Sequence, residues 1–251
     1  AMIKREYPQV DVIGGNIATA DAALAMAGGE KVDRTPDYRF RLTVEVETPD
    51  GLKSGSSVIE VETDVASEYA IPTPGRVSTN VRGQAAAVDL GDGQVLFAML
   101  RSEISYDWAS NIMFMLAPKY SGENAFEARY DAMLNRRSAI RVPRFWRRGL
   151  LRGVSAYPML VTFEDIQDPE SAVKVDPDDL AARFGEGVRL KHITVQMTDD
   201  PVSTGIERLL PWLDDFRRRN LDGSSSVAAD ATKDELKYTL SAASFSTEFY
   251  R

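Results

Sequence analysis

The chain predicts an α+β fold: a mostly antiparallel β-sheet built from hairpins, with helices inserted between the hairpin blocks. Three observations carry this. Residues 38–63 alternate apolar and polar side chains on either side of a Pro-Asp-Gly turn. Residues 83–100 repeat the pattern around Asp92-Gly93. Two stretches with helical spacing then follow before alternation resumes.

In the first block Tyr38, Phe40, Leu42, Val44 and Val46 alternate with Arg39, Arg41, Thr43, Glu45 and Glu47. Period two gives one buried and one wet face, as antiparallel sheets have. Pro49 and Gly51 suit the turn, and "SSVIEVET" returns as the second strand. Residues 64–80 read as an irregular connection. The second hairpin runs from Val88 and Leu90 to Val95, Phe97 and Met99, with Asp92-Gly93 at its turn. Asp89 and Asp92 lack the spacing of a calcium loop.

"SYDWASNIMFMLAP" reads as a helix capped by Ser105, stopped by Pro118 and buried nearly all round. "SGENAFEARYDAMLNRR" places Phe126, Tyr130, Met133 and Leu134 on one helical stripe. "YPMLVTFED" reads as a strand. "DPDDLAARFGEG" reads as a short helix with Asp176 as cap, Pro177 in the first turn and Gly185 as stop. "VRLKHITVQMT" is another strand, with Leu190, His192, Thr194 and Gln196 on one face and Ile193, Val195 and Met197 on the other. "VSTGIERLLPWLDDFRRRN" reads as a helix interrupted at Pro211. Phe245, Thr247 and Phe249 alternate in a last strand that rejoins the sheet. Before the first block, "VDVIGGN" suggests a short strand and "IATADAALAMAGG" a helix between Asn16 and Gly28-Gly29. That opening is an incomplete dinucleotide-binding fingerprint. The division expected is an N-terminal extension over 1–37, one α+β core domain over 38–221, and a polar linker with the C-terminal strand over 222–251.

Composition narrows the chemistry. A chain of 251 residues with 43% apolar and 27% charged residues is ordinary for a soluble globular protein and buries a core without staples. No apolar run reaches the ~18 residues of a membrane span. There is no cysteine, which excludes disulfides, thiolate nucleophiles and cysteine-based zinc sites. His192 is the one histidine, so any Ser–His–Asp machinery would have to use it. On a strand beside Thr194 and Gln196 it is a candidate general base, with a structural role the simpler alternative. Ser54, Ser56 and Ser57 read as turn and strand-edge residues. The pairs Asp199-Asp200 and Asp214-Asp215 read as element ends. No nucleophile elbow, metalloprotease motif or phosphate loop is present, so neither a metal nor a cofactor is expected.

"YRFRLTVEVETPDGLKSGSSVIEV", "AAAVDLGDGQVLFAML" and "YPMLVTF…VDPDDLAARFGEGVRLKHITV…GIERLLPWL" together resemble a family of uncharacterised bacterial proteins, some of which look like lipoproteins behind a signal peptide. The resemblance covers about residues 38–213. It implies a bacterial origin and points to the cell envelope, and it carries no activity or catalytic residue. The opening Ala1-Met2 reads as a cloning remnant. The expected location is therefore the periplasm or envelope if a signal peptide or lipid-bearing cysteine preceded the chain, and otherwise the cytoplasm.

The strongest anomaly is "NRRSAIRVPRFWRRGLLRG", with Arg136, Arg137, Arg141, Arg144, Arg147, Arg148 and Arg152 beside Phe145 and Trp146. No Asp or Glu occurs from Ala132 to Phe163. Taking these seven charges from the net −8 leaves −15 elsewhere, so charge is segregated along the chain. Nucleic acid is a poor partner, because that remainder repels a polyanion and no recognition motif is visible. An anionic membrane surface needs "PRFWRRGLLR" to be an amphipathic helix with Arg144, Arg147, Arg148 and Arg152 on one face, and Gly149 weakens it. A protein partner or anionic substrate suits arginine beside tryptophan. The plainest alternative is internal pairing with the acidic run Glu164, Asp165, Asp168, Glu170, Asp176, Asp178 and Asp179. That run could also offer oxygen ligands to calcium, without regular spacing.

These observations favour a non-catalytic bacterial binding or inhibitory protein, an immunity-type toxin inhibitor being one concrete version. Arg141, Arg144, Trp146, Arg147, Arg148 and Arg152 are its candidate binding residues and a protein its expected partner. Two alternatives stay open. One is a hydrolase or transferase holding an anionic substrate with the 136–152 arginines. The other is an envelope-associated scaffold that touches membrane by peripheral contact or a lipid anchor lost from the chain.

Overall fold

The computed structural model describes residues 35–65, 77–122, 124–147, 149–217, 219–225 and 236–248. The strand and helix expected before residue 35, most of the polar linker, Arg148 and Phe249 lie outside them. Nine strands form two antiparallel sheets, and four α-helices accompany them among the described residues. The fold is α+β and mostly sheet, as the alternation predicts.

The larger sheet contains β1 (Tyr38–Thr48), β2 (Gly51–Val65), β3 (Val77–Arg82), β6 (Ile140–Arg141) and β9 (Arg189–Met197), in the order β3-β2-β1-β9-β6. The smaller contains β4 (Ala86–Gly91), β5 (Gln94–Ala98), β7 (Leu160–Phe163) and β8 (Ala172–Lys174), in the order β4-β5-β7-β8. The helices are α1 (Trp108–Leu116), α2 (Ala125–Leu134), α3 (Ala181–Phe184) and α4 (Ala242–Phe245).

Two apolar clusters hold these layers. In the first, Phe40, Leu42, Val44 and Val46 of β1 meet Ile193 and Val195 of β9, Val88 and Leu96 of the smaller sheet, and Trp108, Ile112 and Met113 of α1. In the second, the other face of the smaller sheet, with Val95, Phe97, Met99 and Val161, packs under Leu210, Trp212, Leu213, Leu240 and Phe245. Phe97, Phe163, Trp212 and Phe245 meet there with ring centroids 5.5–5.9 Å apart, a separation at which offset and edge-on aromatic pairs attract.

Small residues let the sheets touch. A Cβ added to Gly55 of β2 would lie 1.9 Å from the Ala87 carbonyl oxygen of β4. Hairpin chemistry fixes the register on each side. Thr48 pairs with Gly51 across the first turn. Asp92 and Gly93 both take positive φ in the second, the conformation a two-residue hairpin turn demands. Asp89 spends a carboxylate oxygen on the Gly91 N–H (2.9 Å), which is turn chemistry rather than ion binding.

Several local expectations need correction. Residues 77–80, the end of the stretch read as connection, belong to β3, where Val81 packs on the core and the Ser78-Thr79-Asn80 run carries no apolar signal. Helix α1 starts at Trp108, because the Ser105 carbonyl accepts the Ser102 N–H (2.9 Å) and the Ala109 N–H goes to Leu100 O (3.1 Å), so Ser105 opens no helical turn. Helix α3 starts at Ala181, after the Asp176 carboxylate has closed a separate turn on the Asp178 N–H, and Gly185 ends it at φ 99°. In β9 the pairing shifts between Glu45 and Val46, leaving Lys191 as an extra residue. That bulge reverses the alternation, so Leu190 packs on the core and not beside His192. Residues 202–220 form two short 3₁₀ turns, Ile206–Arg208 and Pro211–Asp214, instead of an interrupted α-helix. Leu210, Trp212 and Leu213 are buried on either side of the exposed Pro211, whose missing N–H and ring stop a helix from running through. Past α4 the chain rejoins the smaller sheet as a bridge of Ser246 to Gln84, with Ala85 N–H on Phe245 O (2.7 Å) and Thr247 N–H on Gly83 O (2.9 Å).

Gly55→Ala is expected to cost about 2–3 kcal/mol in urea unfolding, because the obstacle is backbone and cannot rotate away. A loss below about 0.5 kcal/mol would mean that β2 and β4 are not in contact there.

Candidate functional site

The arginine-rich segment is a hairpin and not a helix. Val142 is fully buried and donates its N–H to Ile193 O of β9 (2.9 Å). Ala156, also fully buried, donates to Arg144 O (3.1 Å) and accepts the Trp108 indole N–H (2.9 Å). Between these anchors Phe145 bridges to Ser155, Trp146 N–H donates to Val154 O, and Gly153 N–H returns to Trp146 O (both 2.9 Å). Gly149 and Gly153 take positive φ, 76° and 83°. Only glycine adopts such φ readily, so these two residues turn the chain out and back.

The candidate residues divide between the root and the tip. Arg144 is committed at the root. Its Nε contacts both carboxylate oxygens of Asp178 at 3.0 Å, and Nη2 adds a third contact at 2.8 Å. Nη1 donates to the Ser155 hydroxyl (2.7 Å). Its guanidinium lies 4.3 Å from the Phe145 ring centroid and 5.5 Å from that of Tyr157. The hydrogen bonds from Arg144 hold the Asp178 carboxyl below its ordinary value, and Asp178 in turn pushes the Arg144 guanidinium up. Burial raises the Tyr157 phenol, with Arg141 and Arg144 opposing it. Trp146 is half-buried and packs on the first core cluster.

At the tip Arg147 and Arg152 are exposed and form no ion pair with any described residue, and Leu150 between them is fully exposed. Arg148 lies outside the described residues. Arg141 sits apart on β6, exposed, donating to Lys191 O (3.1 Å). Arg137 forks onto Asp199 (3.0 and 3.1 Å), and Arg136 ends α2 without an ion pair among the described residues. Among the described residues the arginines are therefore spread from the end of α2 through β6 to the hairpin tip and do not converge on a concavity. An open cleft of about 390 Å³ exists elsewhere, lined by Glu170, Ala172, Val173, Lys174, Arg183, Leu236 and Lys237.

Island and acidic run meet at one described pair, Arg144–Asp178. Glu164 pairs with Arg183 and Glu170 with Lys237. Asp165, Asp168, Asp176 and Asp179 accept backbone N–H groups of Gln167, Glu170, Asp178 and Ala182, the turn-closing use of aspartate. No cluster of three or more His, Asp or Glu among the described residues is placed to hold a metal ion. His192 faces Glu45 across the strand pair, Nε2 3.3 Å from an oxygen that Lys191 also approaches at 3.2 Å. Both side chains are only partly buried.

Leu150, Ser155 and Tyr157 are not among the candidate binding residues, and Asp178 is named there only as one acid of the run that could pair with the island, which it does through Arg144. The two glycines four apart around a leucine pair were the available signal for a turn. The Asp178 contact joins residues 34 apart and left no local trace. No family model, curated protein or solved structure matches the chain. No helix among the described residues is long and apolar enough to cross a membrane.

A double-mutant cycle with Arg144→Ala and Asp178→Ala should give a coupling of ~1 kcal/mol at neutral pH, modest because both groups touch solvent. Asp178 is depressed in the fold, so the contribution is fully present above the unfolded aspartate value of about 3.9. It is lost as pH falls through the lower folded value. A coupling unchanged from pH 7 to the acid limit of the fold would assign the contact to packing instead of charge.

Proposed function

We propose that the protein is a non-catalytic binding protein that engages a partner protein through the tip of the 144–156 hairpin. The observation that carries this is the tip itself: a fully exposed Leu150 flanked by Arg147 and Arg152, which have no acidic partner among the described residues. The root restrains the arm through Arg144, Ser155 and Trp146, so less conformational entropy is lost on docking. Arginine with an apolar anchor is the composition of interface hot spots.

The partner chemistry follows: an apolar pocket for Leu150, rimmed by carboxylates for the arginines. An inhibitor that inserts this arm into another protein's cleft fits that description, and an immunity-type protein is one such case. The resemblance to bacterial, partly lipoprotein-like sequences supports a bacterial setting with the envelope as its place. The anionic-substrate alternative ranks below it, because it needs several arginines around one concavity. The scaffold alternative asks Arg144 to face lipid, and Arg144 is occupied by Asp178.

The test is photo-crosslinking with p-benzoylphenylalanine at position 150, and at Asp50 in the β1–β2 turn as control. Position 150 should give one saturable adduct in extract of the bacterium of origin. It should disappear when Arg147 and Arg152 become Gln in a chain of unchanged Tm. Identical adducts at both positions, or none at 150, would reject the reading.

A further inference from the structure

The smaller sheet has a second feature, independent of the hairpin. Glu164 N–H donates to Ser171 O (3.2 Å) and Val175 N–H to Leu160 O (2.9 Å). These bonds flank the Thr162–Val173 pair of β7 and β8. In an antiparallel ladder such bonds fall on alternate residues. Ser171, Val173 and Val175 therefore turn their backbone groups toward β7, and Ala172 and Lys174 turn theirs away. The outward N–H and C=O groups of Ala172 and Lys174 make no hydrogen bond to any described residue.

Two other edge segments, at β2 and β4, are covered. The β2 edge at Val58 is bonded on both sides by Ser203, its N–H to the Ser203 hydroxyl (2.8 Å) and its carbonyl to the Ser203 N–H (3.0 Å). The β4 edge is closed by Gly55 against Ala87 and by Ser246 at Gln84. The β8 edge instead forms part of the open cleft, with Arg183 of α3 and the turn at Leu236–Tyr238 as its other walls. A strand edge beside a helix is a groove that accepts an added strand. Lys174, Arg183 and Lys237 line it against one carboxylate, Glu170. Their existing partners, Glu103 at 3.7 Å, Glu164 at 3.3 Å and Glu170 at 3.3 Å, are exposed pairs, which incoming carboxylates displace at little cost.

We infer that the β8 edge is a peptide-binding site, where an extended acidic segment of a partner protein adds as a fifth strand to the smaller sheet. Its backbone would pair with Ala172 and Lys174 and its carboxylates with Lys174, Arg183 and Lys237. The hairpin reading is not needed for this site.

The experiment selects displayed random decapeptides on the full chain and measures the enriched peptides by fluorescence anisotropy. Acidic peptides with alternating apolar residues should emerge and compete with one another. Lys174→Pro removes the outward N–H together with the Lys174 ammonium, at an edge where proline is tolerated, and should weaken binding at least tenfold. Lys174→Glu with Lys237→Glu keeps the backbone intact and should do the same. Arg147→Gln with Arg152→Gln should leave affinity within twofold, which separates this site from the hairpin. Amide exchange at Lys174 should slow at least tenfold when peptide binds wild type. The inference is overturned by a selection without binders, by peptides that bind the charge-reversed variant like wild type, or by an unprotected Lys174 amide. It is also overturned if sedimentation shows a wild-type dimer that Lys174→Pro dissolves, since the edge would then belong to a second copy.

Discussion

Much of this architecture follows from one constraint: the four-stranded sheet is apolar on both faces. In β5, Val95, Leu96, Phe97 and Ala98 are buried in succession, Leu96 and Ala98 into one cluster, Val95 and Phe97 into the other. Such a strand cannot leave either face to water, since each large side chain gains roughly 1.5–3 kcal/mol by burial. The larger sheet with α1 and α2 supplies one cover. The segment after residue 205 supplies the other, and it is irregular because its task is to place Leu210, Trp212, Leu213 and Phe245 and not to repeat a period. Trp212 shows how closely it is fitted: its ring joins the aromatic cluster while its N–H donates to Ile166 O (2.9 Å). The open outer face of the larger sheet is held differently. There Glu60 lies between Arg39 and Arg82, and Arg82 also reaches Glu248. Burial would raise the Glu60 carboxyl, but the two arginines keep it below its ordinary value.

The same constraint produces the hairpin. Between α2 and β7 the chain must pass from the edge of one sheet to the interior of the other. It is pinned to the larger sheet at Val142 on Ile193, and at Ala156 beneath Trp108. By Met159 it pairs with Met99 and Arg101, at the end of β5. The length between the pins exceeds what the crossing needs, and the excess projects as the arm. The Arg144–Asp178 contact then ties the arm to the turn before α3. Crossing and projection thus share one pair of anchors, and a change at the root would move the tip.

Strand alternation was legible because a half-buried antiparallel sheet writes period two into the chain, and β1, with a buried residue at every second position, is its clearest case. The turn at Asp92-Gly93 was legible because few other residues adopt its backbone. What escaped depends on contacts between distant residues. The Lys191 bulge exists only relative to β1, so nothing local announces that Leu190 has changed faces. Residues 202–220 carry the leucine and tryptophan of a helix, yet the left-handed Gly205 and Pro211 divide them into two short 3₁₀ turns that bury Leu210, Trp212 and Leu213. In the arginine island, charge density was visible and geometry was not. A helix and a hairpin are equally basic, and Gly149 alone reads as a weak point in the first or a turn in the second.

Segregated charge then has a physical account that differs from neutralisation. Most carboxylates of the acidic run are spent locally, closing turns on their own backbone, and so are poorly placed to meet arginines across the molecule. Only Asp178 is directed at the island, and it is directed at the root. Arg147 and Arg152 are exposed and have no ion pair among the described residues. At physiological ionic strength exposed charges are screened within about 8 Å, so the acidic remainder of the chain does little to offset the tip in close contact. At longer range the net −8 still governs encounter, and it disfavours a uniformly anionic surface. A projecting cationic tip on an acidic body is suited to a partner whose carboxylates are confined to a small rim. That geometry separates a docking cleft from a polyanion.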